Sequence, residues 1–153
     1  MRPLALTLLG GFQARLATGQ VLTLPTRKTQ ALLAYLALRP GHPYTRDRLA
    51  TLLWGDTGDE QARKSLRQAM YVLRKTLPPT EPPSFLVEGQ TIALDPPAVE
   101  VDAALFERLL HEGTPEALER AVALYHGDLL EGFGVDEASF EEWLTAEREL
   151  VSA

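Results

Sequence analysis

The sequence predicts an α+β fold continued by a small all-α unit, and three observations predict it. Short runs of alternating apolar and polar residues open the chain. From Arg27 the apolar spacing turns helical for three successive segments. A second pair of short apolar runs within 85–94 then precedes three more helical segments.

Leu4, Leu6 and Leu8 alternate with Ala5 and Thr7, and after Gly10-Gly11 the alternation resumes in Phe12, Ala14 and Leu16, so both runs are strands. Thr18-Gly19-Gln20 makes a turn, and a third strand over 21–24 ends at Pro25. The opening is therefore a small antiparallel sheet.

A first helix starts at Arg27, carries Leu32, Leu33 and Leu36 on one stripe and stops at Arg39-Pro40-Gly41. A second begins behind Thr45 as N-cap and buries Leu49, Leu52 and Leu53. After the short loop Gly55-Asp56-Thr57-Gly58, a third helix runs over about 59–77, with Thr57 and Glu60 at capping-box spacing and Pro78-Pro79 forbidding continuation. Its apolar stripe is Ala62, Leu66, Ala69, Met70, Leu73 and Leu77. Two strands, 85–87 and 92–94, flank Glu88-Gly89-Gln90-Thr91 as a hairpin, and Pro96-Pro97 closes this first unit, residues 1–97.

The second unit, 99–153, holds helices over 102–110, over 115 to about 130 behind Thr114 with Pro115 at the favoured first position, and from Ser139 to the end. The middle one carries the stripe Leu118, Ala121, Val122, Tyr125 and Leu129. The last presents Phe140, Trp143, Leu144 and Leu150 on one face with no C-cap. A helix ending in this way implies that the natural protein continues or that a partner covers the face. Three helices make a small core, so the unit should either pack on the first or self-associate.

Charge is sorted between the two units. Residues 1–78 carry twelve Lys and Arg against Asp47, Asp56, Asp59 and Glu60, a formal +8, whereas residues 79–153 carry three Arg against seventeen acids, a formal −14. The whole-chain net charge of −6 conceals a basic module suited to a polyanion. With 153 residues, 45% of them hydrophobic, the chain can build a real core, and with no cysteine it must do so by packing alone. No apolar run approaches the roughly 20 residues of a membrane crossing and no signal pattern opens the chain, so a cytoplasmic protein without a membrane partner is expected.

The third helix carries the chemistry. Opposite its apolar stripe lie Arg63, Lys64, Arg67, Gln68, Tyr71, Arg74 and Lys75, spaced by three and four into one face. Arg can fork onto guanine, Gln onto adenine, and the remaining cations suit phosphates. A solvated surface would tolerate the same residues, but two shorter helices precede this one and a hairpin follows it. That is the order of a winged helix-turn-helix with recognition helix and wing.

The residues Arg46-Asp47-Arg48-Leu49, Leu53-Trp54, Ala62-Arg63, Leu66-Arg67-Gln68-Ala69 and Leu73-Arg74-Lys75 resemble the DNA-binding region of the Streptomyces antibiotic regulatory protein (SARP) family, with its OmpR-type winged helix. The ten residues 121–130 (AVALYHGDLL) and the six at 143–148 (WLTAER) resemble the start of the bacterial transcriptional activator domain, a helical module related to tetratricopeptide repeats. Together these cover nearly the whole chain, although the second module is shorter than the family's and the wing tip lacks Arg and Lys.

The resemblance implies a DNA-binding regulator, an activator that binds direct repeats near promoters, as a possible homodimer, and contacts RNA polymerase. Arg63, Lys64, Arg67, Gln68 and Tyr71 are the expected base contacts. Arg27, Lys28, Arg46, Arg48, Arg74, Lys75 and Thr91 are the expected contacts to the DNA backbone. Gly55, Asp56, Thr57 and Gly58 form the loop expected to face polymerase, and Trp54 is expected in the core.

His42, His111 and His126 lie in separate elements, no Gly-rich phosphate loop or nucleophile elbow occurs, and the carboxylates of the second unit are spread along amphipathic helices. Neither an enzyme nor a metal or other cofactor is expected. The competing reading is a protein-interaction module within a larger signalling protein, a winged helix used as scaffold, in which the acidic unit docks a partner or covers its own basic face.

Overall fold

A computed structural model describes residues 3–77 and 83–152. The Pro78-Pro79 stop expected after the third helix lies outside them. Among the described residues there are two sheets and six helices, most of them packed on one core, while α5 and Leu109 of α4 form a smaller cluster beside it. β1 (Leu4–Thr7) pairs antiparallel with β2 (Gln13–Leu16), and β2 with β3 (Val21–Leu22). Then follow α1 (Arg27–Leu38), β4 (Tyr44–Thr45), α2 (Arg46–Trp54), α3 (Asp59–Thr76), and the strands β5 (Phe85–Glu88) and β6 (Thr91–Leu94). After a single 3-10 turn come β7 (Val99–Val101), α4 (Asp102–Glu112), α5 (Pro115–Leu124) and α6 (Ala138–Ser152).

Most helix starts follow the sequence. Thr26, Thr45 and Thr114 each accept a hydrogen bond from the backbone N–H three residues on, capping α1, α2 and α5. The capping box expected for α3 does not form. Gly58 is the N-cap, and the Thr57 hydroxyl instead donates to the Trp54 carbonyl at 2.8 Å, closing the turn after α2.

α1 is buried on all sides. Thr29 and every residue from Ala31 to Leu38 lie in the core, so the stripe of three leucines was only part of its buried surface. α2 and α3 cover part of it, with Leu49, Leu53, Leu66 and Leu73 fully buried, and Trp54 belongs to the same core.

The sequence missed two strands. β4 pairs with β6, Tyr44 opposite Ile92 and Thr45 opposite Thr91, which makes the wing a three-stranded sheet ordered β4-β6-β5. β7 joins the opening sheet by pairing parallel to β1, Leu4 opposite Val99 and Leu6 opposite Val101. The boundary drawn between 97 and 99 thus passes just ahead of a strand that completes the first sheet. Phe140 and Leu144 of α6 are buried in the same core as Leu4 and Leu32. Of the two fates expected for the last helix, packing on the first unit is the one observed, although Leu150 stays exposed.

α5 stops at Leu124, short of the expected 130. Leu8 to Gly10 capture the following residues instead: Gly10 N–H donates to Asp128 O at 3.0 Å, and Leu130 N–H to Leu8 O at 2.7 Å. Leu130 takes a left-handed backbone, φ 51°, and the Arg148 guanidinium of α6 donates to the carbonyls of Leu129 and Leu130, each at 2.8 Å. With the helix shortened, Leu118 and Val122 face solvent while Ala117 and Ala121 bury against Leu109 of α4.

Asp102 fastens α4 to the sheet. One carboxylate oxygen accepts from Leu8 N–H at 2.7 Å and Ala103 N–H at 2.7 Å, the other from Leu9 N–H at 3.0 Å. Burial pushes its pKa above the usual carboxylate value, and the amide donors pull in the opposite direction without cancelling the rise. An amide in this position offers one acceptor and turns its NH₂ toward a backbone N–H. Asp102→Asn should therefore lower the unfolding free energy by about 1–3 kcal/mol, measured by denaturant titration.

Candidate nucleic-acid interface

The exposed arc of α3 is divided into two flanks by what stands on either side of it. On one flank the wing and the start of α2 close a groove of about 470 Å³ lined by Arg46, Asp47, Arg63, Arg67, Tyr71, Arg74 and Gln90. The pairing of β4 with β6 builds this groove. It brings the wing tip against the first turn of α2, where Arg46 N–H donates to Gln90 O at 2.8 Å. Four arginines from two helices and a glutamine from the wing thus converge on one concave surface.

On the other flank, Lys64 and Gln68 line a separate cleft of about 750 Å³ with Trp54, the start of α1 and the segment 134–136. The seven residues expected to form one continuous face are therefore two sets: Arg63, Arg67, Tyr71 and Arg74 toward the wing, Lys64 and Gln68 toward the C-terminal segment. Lys75 lies at the far end, its ammonium 5.8 Å from the Tyr71 ring centroid.

Among the described residues, Lys64, Arg67 and Arg74 form no ion pair, whereas Arg63 Nε lies 3.2 Å from Asp47 Oδ1 in an exposed pair. Such a pair contributes little and opens readily. The acidic partner inside the basic groove is a feature the sequence reading missed. Its signal was Asp47 among the cations at the start of α2. Gln90 was also missed in favour of Thr91, whose hydroxyl donates to Glu88 O at 3.0 Å and so serves the hairpin turn itself. Gly89 permits that turn through its φ of +57°.

The expected backbone cations divide as well. Arg46 and Arg48 stand at the first turn of α2; Arg46 lines the groove, whereas Arg48 lines a separate cleft with Tyr35, Thr51 and Trp143. Arg27 and Lys28 were expected to approach DNA, but they are engaged by the C-terminal segment. Arg27 Nη1 donates to Gly134 O at 3.1 Å, and Lys28 Nζ pairs with Glu137 at 2.9 Å, with Glu137 only 7% exposed. The reason is steric and electrostatic: the segment leading into α6 crosses the start of α1 and places its acids there. The loop 55–58 is fully exposed, between the end of α2 and the start of α3.

No group of three His, Cys, Asp or Glu among the described residues could hold a metal ion. No helix among them is long and apolar enough to cross a membrane.

Residues 19–88, which run from the turn before β3 through β5, match the family described as Transcriptional regulatory protein, C terminal. Over 123 residues the chain is 32% identical to Regulatory protein AfsR of Streptomyces coelicolor, a match covering 74% of this chain and 12% of AfsR. Its fold is similar to that of Mycobacterium tuberculosis EmbR, solved in complex with a low-affinity phosphopeptide. The TM-score is 0.76 at 24% identity, over 97% of this chain and 42% of that one. The chain spans less than half the length of either.

Because Lys28 is already paired with a nearly buried carboxylate, Lys28→Ala should leave duplex affinity and its salt dependence unchanged. It should lower stability by about 1–3 kcal/mol by stranding Glu137. Fluorescence anisotropy across a salt series, alongside thermal melting, separates the two effects.

Proposed function

The chain belongs to the SARP family of transcriptional regulators, with an OmpR-type winged helix, and we propose that it reads duplex DNA through the wing-side flank of α3. The observation that carries this reading is the convergence of Arg67 and Arg74 of α3, Arg46 of α2 and Gln90 of the wing on one groove, while Glu137 and Glu147 of the second unit pair with cations at the ends of α1 instead. In this reading α3 enters the major groove, and Arg67 and Tyr71 meet base edges near its middle. Arg63 joins them once its exposed pair with Asp47 opens. Arg46, Arg48 and Arg74 bond phosphates on either side and set the register. Lys64 and Gln68, on the opposite flank, meet bases only where the helix lies deep in the groove.

The finer parts of the proposal follow from the family. The chain acts as an activator on direct repeats, two copies side by side, and its loop 55–58 faces RNA polymerase through Asp56. The exposure of that loop between α2 and α3 supports this, since a surface there stays uncovered when the middle of α3 is engaged. A scaffold role within a signalling protein would leave the basic groove without a polyanion to bind, and a flat salt dependence of duplex binding would favour it.

Two substitutions test the proposal. Arg67→Ala should weaken binding to a selected genomic site by about 1–3 kcal/mol, much more than to random duplex, with melting unchanged; equal losses on both would demote Arg67 to a phosphate contact. Asp56→Lys should leave the affinity for DNA intact and reduce transcript yield in a reconstituted assay with polymerase.

A further inference from the structure

A cation that must bond a phosphate loses less entropy on binding if its side chain is already held in place. Arg48, exposed at the first turn of α2, is held from two sides. Its Nε donates to the Tyr35 hydroxyl at 3.2 Å, and its guanidinium carbon lies 5.7 Å from the Tyr44 ring centroid. Tyr35 belongs to α1 and is 2% exposed; Tyr44 belongs to β4 and is nearly as buried. With Nε committed, the donors on the two Nη atoms remain free, and they form the fork that matches two phosphate oxygens.

Tyr35 is itself braced by the C-terminal helix. Its ring centroid lies 4.8 Å from that of Tyr44 and 4.7 Å from that of Trp143 on α6. One turn further along α6, Glu147 accepts from both Nη atoms of Arg39, at 2.9 and 3.2 Å, and pins α6 to the end of α1. A continuous set of contacts thus runs from α6 through Tyr35 to an exposed cation at the first turn of α2, the residue after next to Arg46 of the groove.

We infer that Tyr35 is a positioning residue for DNA binding, that it presents the Arg48 fork to a backbone phosphate, and that Trp143 acts on the same contact through Tyr35. The inference rests on the proposed reading of Arg48 as a phosphate contact. It gives the second unit a share in DNA affinity without any contact of its own to DNA.

The test is a double-mutant cycle on the intact chain, with affinity for a random-sequence duplex measured at several salt concentrations and each variant melted in parallel. Tyr35→Phe keeps the ring stack and removes only the hydroxyl, so its melting should stay close to wild type. It should weaken binding about three- to tenfold. Arg48→Ala should weaken it at least as much and make the salt slope shallower by about one. The double variant should match Arg48→Ala alone, and Trp143→Leu should weaken binding only where Arg48 is present. Additive losses in the double variant, or an unchanged affinity in Tyr35→Phe while Arg48→Ala binds weakly, would overturn the inference and leave Arg48 as an independent phosphate contact. An unchanged affinity in Arg48→Ala would remove the premise as well.

Discussion

The complete burial of α1 is the constraint on which the rest of the structure depends. A helix with Thr29 and every residue from Ala31 to Leu38 in the core has no solvent side, so covering it takes more than the two helices of a helix-turn-helix. Each fully buried leucine contributes about 1.5–3 kcal/mol, and α1 contributes three, Leu32, Leu33 and Leu36. α3 and α2 take one side, and α6 closes over Tyr35 through Trp143. α3 and the C-terminal helix are thereby fixed to one rod. That is why they form a single body although their charges differ so strongly.

The charge sorting has a corresponding physical outcome. The acids of the second unit that form ion pairs with the first do so at the two ends of α1: Glu137 at Lys28, Glu147 at Arg39. They neutralise cations at the back of the winged helix and leave Arg67 and Arg74 open. An acidic domain beside a DNA-binding domain need not mask it, provided the carboxylates that reach it pair with cations away from the groove. The repulsion it still exerts on phosphates is long-ranged and screened within roughly 8–10 Å at physiological salt.

The periodic parts of the fold were legible in the sequence: the N-terminal strands, the starts of α1, α2 and α5, the apolar stripe of α3 and the wing. What the sequence hid depended on partners distant along the chain. β4 and β7 are two and three residues long and exist because β6 and β1 lie beside them. α5 ends early because Leu8 and Gly10 bind the residues beyond it, an effect invisible in the stripe that continued to Leu129. For the candidate site, the residue types on α3 were visible but their division into two flanks was not, since the dividing walls come from the wing and from 134–136. One signal was present and not read: the ten residues 29–38 carry no charge, which already indicates a helix enclosed all round.

The parallel pairing of β7 with β1 also bears on the order in which the molecule assembles. Leu4 lies beside Val99, and the Leu8 amide meets Asp102 at a separation of 94 residues, so the opening sheet cannot be completed until most of the chain is available. Contacts between α2 and α3, and between β5 and β6, are local and incur little loop-closure entropy, so they can nucleate early. Strands β1 to β3, made before the rest of the described fold, are then among the last elements to be sealed, and during synthesis β1 presents an unpaired apolar edge. Its shortness, four residues, limits how well that edge can template the wrong partner while it waits for β7.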